Sequence, residues 1–325
     1  MRGYLGIDVG SVSTKIVFMD ESGFVREAIY LRTQGKPIAT VQKGLTEIKK
    51  RLPAGLKVRG VGTTGSGRYL TGVVVGADTV KNEITAHAVA SSLQVPGVQT
   101  IIEIGGQDSK IIILRNGVVA DFAMNTVCAA GTGSFLDQQA ARLDIPVDKF
   151  GEIALQSRSP VRIAGRCAVF AESDMIHKQQ MGCSLSDILS GLCDALVRNY
   201  LNNVGKGKEI LAPVVFQGGV AANAGMINAF RKALGLTIQV PPYFDVMGAV
   251  GAALLSRETV SKKSSSRFKG FGVADIEFKT GSFECSGCPN SCEVINLTEE
   301  GKVIARWGDR CGKWSSALTE QEKIS

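Results

Sequence analysis

The sequence predicts an α/β protein made of two similar domains, followed by a small cysteine-rich extension. Three observations carry that expectation. The stretch Ile7-Asp8-Val9-Gly10-Ser11-Val12-Ser13-Thr14-Lys15 returns without a gap as Ile102-Glu103-Ile104-Gly105-Gly106-Gln107-Asp108-Ser109-Lys110. Each copy runs on into an apolar segment, Ile16-Val17-Phe18 in the first and Ile111-Ile112-Ile113 in the second. Late in the chain a Gly218-Gly219 corner follows another apolar run, and four cysteines gather beyond Arg267.

In chain order, each copy of the repeat reads as strand, glycine turn and strand, since β-branched residues flank a Gly-Ser or Gly-Gly corner. Val41 to Arg51 has the apolar spacing of an amphipathic helix. Val58 to Leu70 reads as a strand and a glycine-rich loop, which lacks the Gly-Lys-Ser/Thr ending of a Walker A motif. Glu83 to Leu93 reads as a helix; a place near a ligand cleft is one reading of His87, and helix packing or the surface is the expected one. After the second hairpin, Cys128 stands in a turn before a helix beginning near Thr132, and Cys167 stands immediately before another. Ser184-Leu185-Ser186-Asp187 opens a helix as a capping box, with Leu185, Ile188, Leu189, Leu192 and Leu196 on one face. Cys193 is expected on that apolar face and Cys183 packed before the cap. Pro213 to Phe230 reads as a buried strand, the Gly218-Gly219 turn and a helix start, and a last apolar helix follows Pro241-Pro242. Arg257 to Arg267 turns polar and basic, as a linker does. The remainder carries Cys285, Cys288, Cys292 and Cys311 with little apolar content. The expected boundaries are residues 1–95 with about 243–256 for the first domain, 96–242 for the second, 257–267 for the linker and 268–325 for the extension.

Composition bounds the function. A chain of 325 residues has room for two compact domains and a small third. Its 44% hydrophobic and 21% charged residues are ordinary for a soluble globular protein. The longest apolar run, Val246 to Leu255, is too short to span a bilayer. Asp8 breaks the N-terminal apolar stretch before a leader forms, so a cytoplasmic protein with no membrane role is expected. The net charge of +7 is scattered, without interleaved aromatics or a reader motif, which argues against nucleic acid and for a solvated basic surface. With His87 and His177 the only histidines, a histidine-rich metal centre is excluded. Eight cysteines in a cytoplasmic chain point to metal or redox work rather than disulfides.

The repeated turn carries the chemistry. Its glycines let the backbone come close to a ligand, and successive N–H groups in such a turn form a nest for anions. Two nests, each preceded by a carboxylate, are suited to grip a polyphosphate and its metal from two sides. Asp8 is the candidate to hold Mg²⁺ through water, because this ion keeps much of its hydration shell. Gly10, Ser11, Ser13, Thr14 and Lys15 are candidates for phosphate contact in the first copy, with Gly105 and Gly106 in the second. Glu103, Gln107 and Asp108 are expected to position the metal or an attacking water, as phosphoryl transfer requires. Gly218 and Gly219 let backbone lie against a nucleoside.

On these residues the chain resembles the actin-like ATPase superfamily, whose members carry two phosphate motifs and an adenosine motif on duplicated ribonuclease-H-like domains. The resemblance implies that Asp8 to Thr14, Glu103 to Ser109 and Gln217 to Asn223 are those three motifs, that Asn223 joins the binding residues, and that ATP or ADP is the ligand. The superfamily usually has Asp where this chain has Glu103.

Cys128 and Cys167 each precede a helix, where free N–H groups and the macrodipole favour a thiolate suited to a metal. Two such ligands are half of what an iron–sulfur cluster asks for, and a twofold dimer supplies the rest. The arrangement looks like the activators of 2-hydroxyacyl-CoA dehydratases, in the family that holds the ATPase subunits of benzoyl-CoA reductases. The stretches EIGGQDSK, NTVCAAGTGSF, GRCAVFAESD and QGGVAAN match it in order, over about residues 3 to 256. The resemblance implies a homodimer bridged by one 4Fe–4S cluster on Cys128 and Cys167 of both subunits. It further implies an oxygen-sensitive ATPase that moves single electrons from ferredoxin or flavodoxin to a partner. That partner is an iron–sulfur enzyme, a dehydratase or a double-cubane cluster protein. Cys285, Cys288, Cys292 and Cys311 have a spacing that allows a structural Zn²⁺ or a second Fe–S cluster. Two competing readings, a sugar or acyl kinase and an ATP-gated scaffold, give Cys128 and Cys167 no task; iron content separates them from the activator.

Overall fold

The computed structural model describes residues 1–125, 127–261 and 265–315. The first repeat copy folds as a hairpin of β1 (Arg2–Val9) and β2 (Ser13–Asp20), antiparallel, with Ile7 opposite Ile16 and Asp8 opposite Lys15. Next, β3 (Val25–Arg32) pairs antiparallel with β2. Helix α1 (Pro37–Arg51) crosses back, with proline in its first turn, where the missing N–H has no helical partner to lose. It buries Val41, Leu45 and Ile48 and delivers the chain to β4 (Lys57–Thr64), parallel to β1. After α2 (Arg68–Val75), β5 (Thr79–Val80) completes a sheet of order β3-β2-β1-β4-β5. Helix α3 (Glu83–Gln94) follows, capped by Asn82, whose Oδ1 accepts from the Thr85 N–H at 2.9 Å.

The second copy repeats the plan. Strands β6 (Thr100–Ile104), β7 (Ser109–Arg115) and β8 (Val118–Asn125) form an antiparallel meander. Helices α4 (Gly133–Arg142), α5 (Phe150–Ala154), α6 (Ala168–Gln180) and α7 (Leu185–Asn203) intervene before β9 (Val214–Gln217), which runs parallel to β6. Then α8 (Ala224–Leu234) leads to β10 (Ile238–Gln239), giving the order β8-β7-β6-β9-β10. Strand order and sense therefore match in the two sheets. Each has its own core: Leu5, Ile7, Ile16 and Phe18 with Leu45 in one, and Ile102, Ile111, Phe135, Leu189 and Phe216 in the other. Burying each such side chain contributes roughly 1.5–3 kcal/mol.

Helix α9 (Met247–Ser261) returns to cover the first sheet. Its docking explains the glycines of β1 and β4. A side-chain carbon at Gly6 would lie 1.8 Å from the Ala249 carbonyl oxygen, and one at Gly62 would lie 2.0 Å from that of Ala252. Of the stretch Val58 to Leu70, Val58 to Thr64 is strand β4 as expected, glycine-rich because a helix lies on it; only Gly65 to Gly67 turn, and Arg68 to Leu70 already belong to helix α2.

The C-terminal region departs from expectation too. Helix α9 includes Arg257–Ser261, residues 262–264 of the expected linker lie outside the described residues, and Asp78 holds the chain beyond them. Its carboxylate accepts from Ser266 Oγ (2.5 Å) and the Arg267 N–H (2.8 Å). Strands β11 (Phe278–Glu284), β12 (Glu293–Glu299) and β13 (Lys302–Trp307) form a third, antiparallel sheet. Val273 and Leu297 are buried there, and Phe271, Ile304 and Trp307 pack onto the first core. Gln42 Nε2 on α1 donates to the carbonyls of Val273 (3.1 Å) and Ile276 (2.7 Å). The apolar residues are sparse and strand-spaced, so their number misleads where their register does not. Residues 316–325 of the expected extension lie outside the described residues. No helix among the described residues is long and apolar enough to cross a membrane.

Candidate active site

Both hairpin turns open into one cleft, and they close alike. The Gly10 N–H donates to the Ser13 carbonyl (2.9 Å) and the Gly105 N–H donates to the Asp108 carbonyl (3.0 Å). Along β2 the pleat alternates, so Ser13 and Lys15 line the cleft while Thr14 turns away. The Thr14 hydroxyl is buried and shares a 3.0 Å hydrogen bond with that of Thr33. That corrects the expectation of a Thr14 side-chain contact to phosphate, because strand period removes it.

Asp8 is 6% exposed and its carboxylate sits where two glycines allow it. A side-chain carbon at Gly248 would lie 2.7 Å from Asp8 Oδ2, and one at Gly65 (φ 86°) would lie 2.5 Å from Oδ1. Lys15 Nζ donates to Asp8 Oδ2 at 3.2 Å. Burial alone would lower the Lys15 ammonium, but Asp8 and its neighbours outweigh it and hold the pKa above its ordinary value.

In the second copy Lys110, 2% exposed, is the hub of three carboxylates. Its Nζ lies 2.7 Å from Asp108 Oδ2, 2.9 Å from Glu103 Oε2 and 3.4 Å from Glu83 Oε2. Burial opposes its charge; Glu103, Asp108 and Glu83 overcome that and raise the ammonium pKa. Burial also raises Glu103 and Glu83 above their ordinary value, with Lys110 pulling the other way. Four carboxylates (Asp8, Glu83, Glu103, Asp108) thus face two ammonium groups.

His87 lines the same polar pocket from α3. Burial, then the charge of Lys110, lowers its pKa to about 4, so the ring is neutral. A neighbouring cleft of about 320 Å³ is bordered by Val12, Leu136, Val147 and Val220, with Gly219 and Asn223 at its edge. That size and lining suit a small organic ligand. Gly218 (φ 87°) is required at the corner, since a side-chain carbon there would lie 2.4 Å from the Ile104 carbonyl oxygen. Asn223 Oδ1 also caps α8, accepting from the Met226 N–H at 3.1 Å.

The cleft therefore gathers Asp8, Gly10, Ser11, Ser13, Lys15, Glu103, Gly105, Gly106, Gln107, Asp108, Gly218, Gly219 and Asn223 around connected pockets. Glu83 and Lys110 join them without having been singled out, and His87 stands at the cleft rather than in plain helix packing or at the surface. The signal for Lys110 was its register with Lys15 in the repeat. For His87 it was the four-residue spacing from Glu83, which puts both on one helix face.

The cysteine loops meet away from this cleft. Cys128 Sγ lies 3.9 Å from the carbonyl oxygen of Arg166, the residue before Cys167. Asn199 Nδ2 on α7 joins the two loops, reaching Cys128 Sγ at 3.6 Å and the Gly165 carbonyl at 2.6 Å. Cys167 stands at the N-terminus of the full helix α6. Cys128 precedes only the single 3-10 turn Ala129–Gly131, so its side-chain environment comes from Asn199 more than from a helix dipole. Both thiols are partly exposed, and Val127, Val169 and Phe170 beside them are 95%, 67% and 66% exposed. Cys193 is buried, with burial raising its thiol pKa, and Cys183 packs against the second core.

Among the described residues, no three His, Cys, Asp or Glu side chains are grouped to hold a metal ion. No three of Cys285, Cys288, Cys292 and Cys311 form such a group, though the Cys285 N–H donates to the Cys292 carbonyl at 2.8 Å. Cys285 Sγ accepts from Trp314 Nε1 (3.3 Å) and the Gly287 N–H (3.5 Å), which lowers its pKa, while Cys288 and Cys311 stay exposed.

Comparison with known proteins is specific. The profile of the BadF/BadG/BcrA/BcrD ATPase family matches residues 5–256, leaving the third sheet outside. The (R)-2-hydroxyglutaryl-CoA dehydratase activating ATPase of Acidaminococcus fermentans is 35% identical over 79% of this chain and 98% of its own length. A benzoyl-CoA reductase subunit of Thauera aromatica is 28% identical over 77% of this chain and 91% of its own. Among solved structures, the activator of 2-hydroxyisocaproyl-CoA dehydratase from Clostridium difficile, with bound ADPNP, superposes at a TM-score of 0.70 with 31% identity, covering 80% of this chain and 96% of that one.

Proposed function

The chain belongs to the BadF/BadG/BcrA/BcrD ATPase family, and we propose on that footing that it is an ATP-dependent activator of a partner enzyme. In this reading ATP hydrolysis in the cleft is coupled to one-electron transfer from a 4Fe–4S cluster to an iron–sulfur enzyme, a 2-hydroxyacyl-CoA dehydratase or a double-cubane protein. Ferredoxin or flavodoxin is the donor. Relatives named as dehydratase activators and as part of a benzoyl-CoA reductase support an enzyme partner. The equal order and sense of the two sheets support a duplicated pair of ribonuclease-H-like domains, residues 1–95 with 243–256 and residues 96–242.

The observation that carries the reading is the meeting of the Cys128 and Cys167 loops at an exposed apolar surface. Two accessible sulfurs per chain, with no third ligand beside them among the described residues, fit a four-thiolate site completed by a second copy. A cluster held there supplies one low-potential electron, with a potential set by solvent exposure and nearby dipoles.

The chain's own residues provide the coupling. The N–H groups of Ser11 on one side and of Gly106 and Gln107 on the other bind the phosphates, while Asp8 holds hydrated Mg²⁺. Lys15 and Lys110 offset the phosphate charge. Because the two turns belong to different sheets, gripping one phosphate chain favours a closed arrangement and losing the terminal phosphate releases it. The Gly133 and Ser134 N–H groups donate to the Gly105 (2.8 Å) and Gly106 (2.9 Å) carbonyls. The segment that starts at Cys128 is thereby fastened to the phosphate turn.

Anaerobic purification tests the reading. A brown homodimer is expected, with iron and sulfide equivalent to one cluster per two chains and ATP hydrolysis dependent on Mg²⁺. Cys128→Ala and Cys167→Ala are each expected to remove the iron and leave nucleotide affinity within about threefold. A colourless, iron-free preparation that fully activates its partner would overturn it.

A further inference from the structure

His87 is unused in the mechanism above, yet its surroundings fix its chemistry. Ser91 Oγ, one helical turn along α3, donates to Gln217 Oε1 at 2.9 Å. That leaves Gln217 Nε2 against His87 Nδ1 at 2.8 Å. An amide nitrogen only donates, so Nδ1 accepts and the ring proton resides on Nε2. All three side chains are buried, at 0% for Ser91 and Gln217 and 6% for His87. Burial of the amide and hydroxyl leaves them no water to exchange with, so the relay is locked.

The free end of the ring meets the cleft. His87 borders the pocket formed by Asp8, Ser13, Lys15, Glu103 and Lys110, and is absent from the lining of the 320 Å³ nucleoside-sized cleft. A nucleotide with its base in the larger cleft and its phosphates on the two turns extends its phosphate end toward this wall, because the turn residues Gly105 and Gly106 line both pockets.

We infer that His87 is a fixed, uncharged hydrogen-bond donor to the terminal phosphoryl group, with Gln217 as the positioning residue that dictates its tautomer. The inference rests on ATP as ligand of the cleft. His87 does not act as a base, because Nδ1 is engaged and Nε2 already carries its proton. A rigid donor aimed at the oxygens where charge gathers stabilises the transition state without reorganisation, and removal of one such donor costs about a hundredfold in rate. Keeping the ring neutral matters where Lys15 and Lys110 already supply cations: an imidazolium would compete with them and with Mg²⁺. The charged groups facing it are Asp8 and Lys15 from β1 and β2, Glu83 from α3, Glu103 and Lys110 from β6 and β7, Asp108 from the turn between those two strands, and Asp245 from the segment before α9.

The test compares ATP hydrolysis with ADP binding in the anaerobic holoprotein. His87→Leu is expected to lower kcat about a hundredfold while ADP, which lacks the last phosphoryl, binds as before. His87→Gln, which restores an amide N–H near the Nε2 position, is expected to recover much of the loss. Gln217→Glu reverses the relay, since a carboxylate accepts from Nδ1, and is expected to make kcat depend on pH across the neutral range. Equal losses in ADP affinity and kcat, or no recovery with glutamine, would assign His87 a structural role instead. Should His87→Leu fail to fold, ¹⁵N-histidine spectra of the unaltered protein decide, because the exposed His177 is the only other signal. A proton found on Nδ1 refutes the inference. Wild-type protein that binds no nucleotide would refute the ATP reading itself, a separate outcome.

Discussion

Substituting Gly251 by alanine adds one methyl group far from any ligand, yet it is expected to impair catalysis. Gly251 lies on α9 where α3 crosses it, and a side-chain carbon there would lie 1.9 Å from the Ala86 carbonyl oxygen. Ordinary contact needs about 3.5 Å, so α3 must retreat by roughly 1.5 Å. Ala86 neighbours His87 in sequence, and Glu83 lies one turn away, so the displacement carries both cleft residues with it. Such overpacking costs about 1–3 kcal/mol, which lowers Tm by roughly 1.5–4.5 °C for a protein of this size. A misplacement of about 1 Å in a catalytic group costs about a hundredfold in rate. Phosphate release and thermal unfolding measure both effects, with Gly272→Ala as control because nothing lies within 4 Å of that position. If Gly251→Ala kept its rate within about twofold and its Tm within about 1 °C, the tight α3–α9 contact would not be what positions the cleft.

Three further outcomes are expected. Lys110→Met strands Glu83, Glu103 and Asp108 in a buried pocket and should cost about 3–5 kcal/mol; the deficit should shrink at pH 5.5 relative to pH 8, as the carboxylates take up protons, which thermal unfolding at the two pH values reads directly. His87 has its pKa depressed from 6.5 to about 4, so the unfolded chain binds the proton first; its contribution of about 3 kcal/mol is complete above about pH 7 and is lost as pH falls from 6.5 toward 4. The His87→Asn variant should therefore show a flatter fall in stability over that window, and an unchanged slope would exclude it. Leu297→Ala empties a fully buried site between the third sheet and the first core, and should cost about 2–5 kcal/mol and open the C-terminal sheet to limited proteolysis.

Much of the site was legible because a repeated local pattern encodes it. Gly10 and Gly105 close the same turn, and both turns deliver a carboxylate and a lysine at matching positions, so aligning the copies located the cleft. Thr14 was misjudged because composition counts hydroxyls, whereas the strand pleat decides which of them meets a ligand. The reason β4 carries Gly60 and Gly62 was not legible, because a single chain does not reveal that a helix nearly two hundred residues later will lie against them. The C-terminal cysteines were read as a ligand set from their spacing, which does not reveal that Cys285 also meets Trp314 Nε1.

What the amino-acid order determined alone was therefore everything with a short-range cause: hairpins, helix caps, a duplicated plan and the residue types at two turns. Tertiary structure decided which side chains share a pocket. Lys110 became the centre of three carboxylates, and His87 a neutral donor held through Gln217, only when α3, β7 and β9 converged. The reason is physical: propensity and pleat act over a few residues, whereas burial, charge balance and proton affinity depend on neighbours that long-range packing brings near.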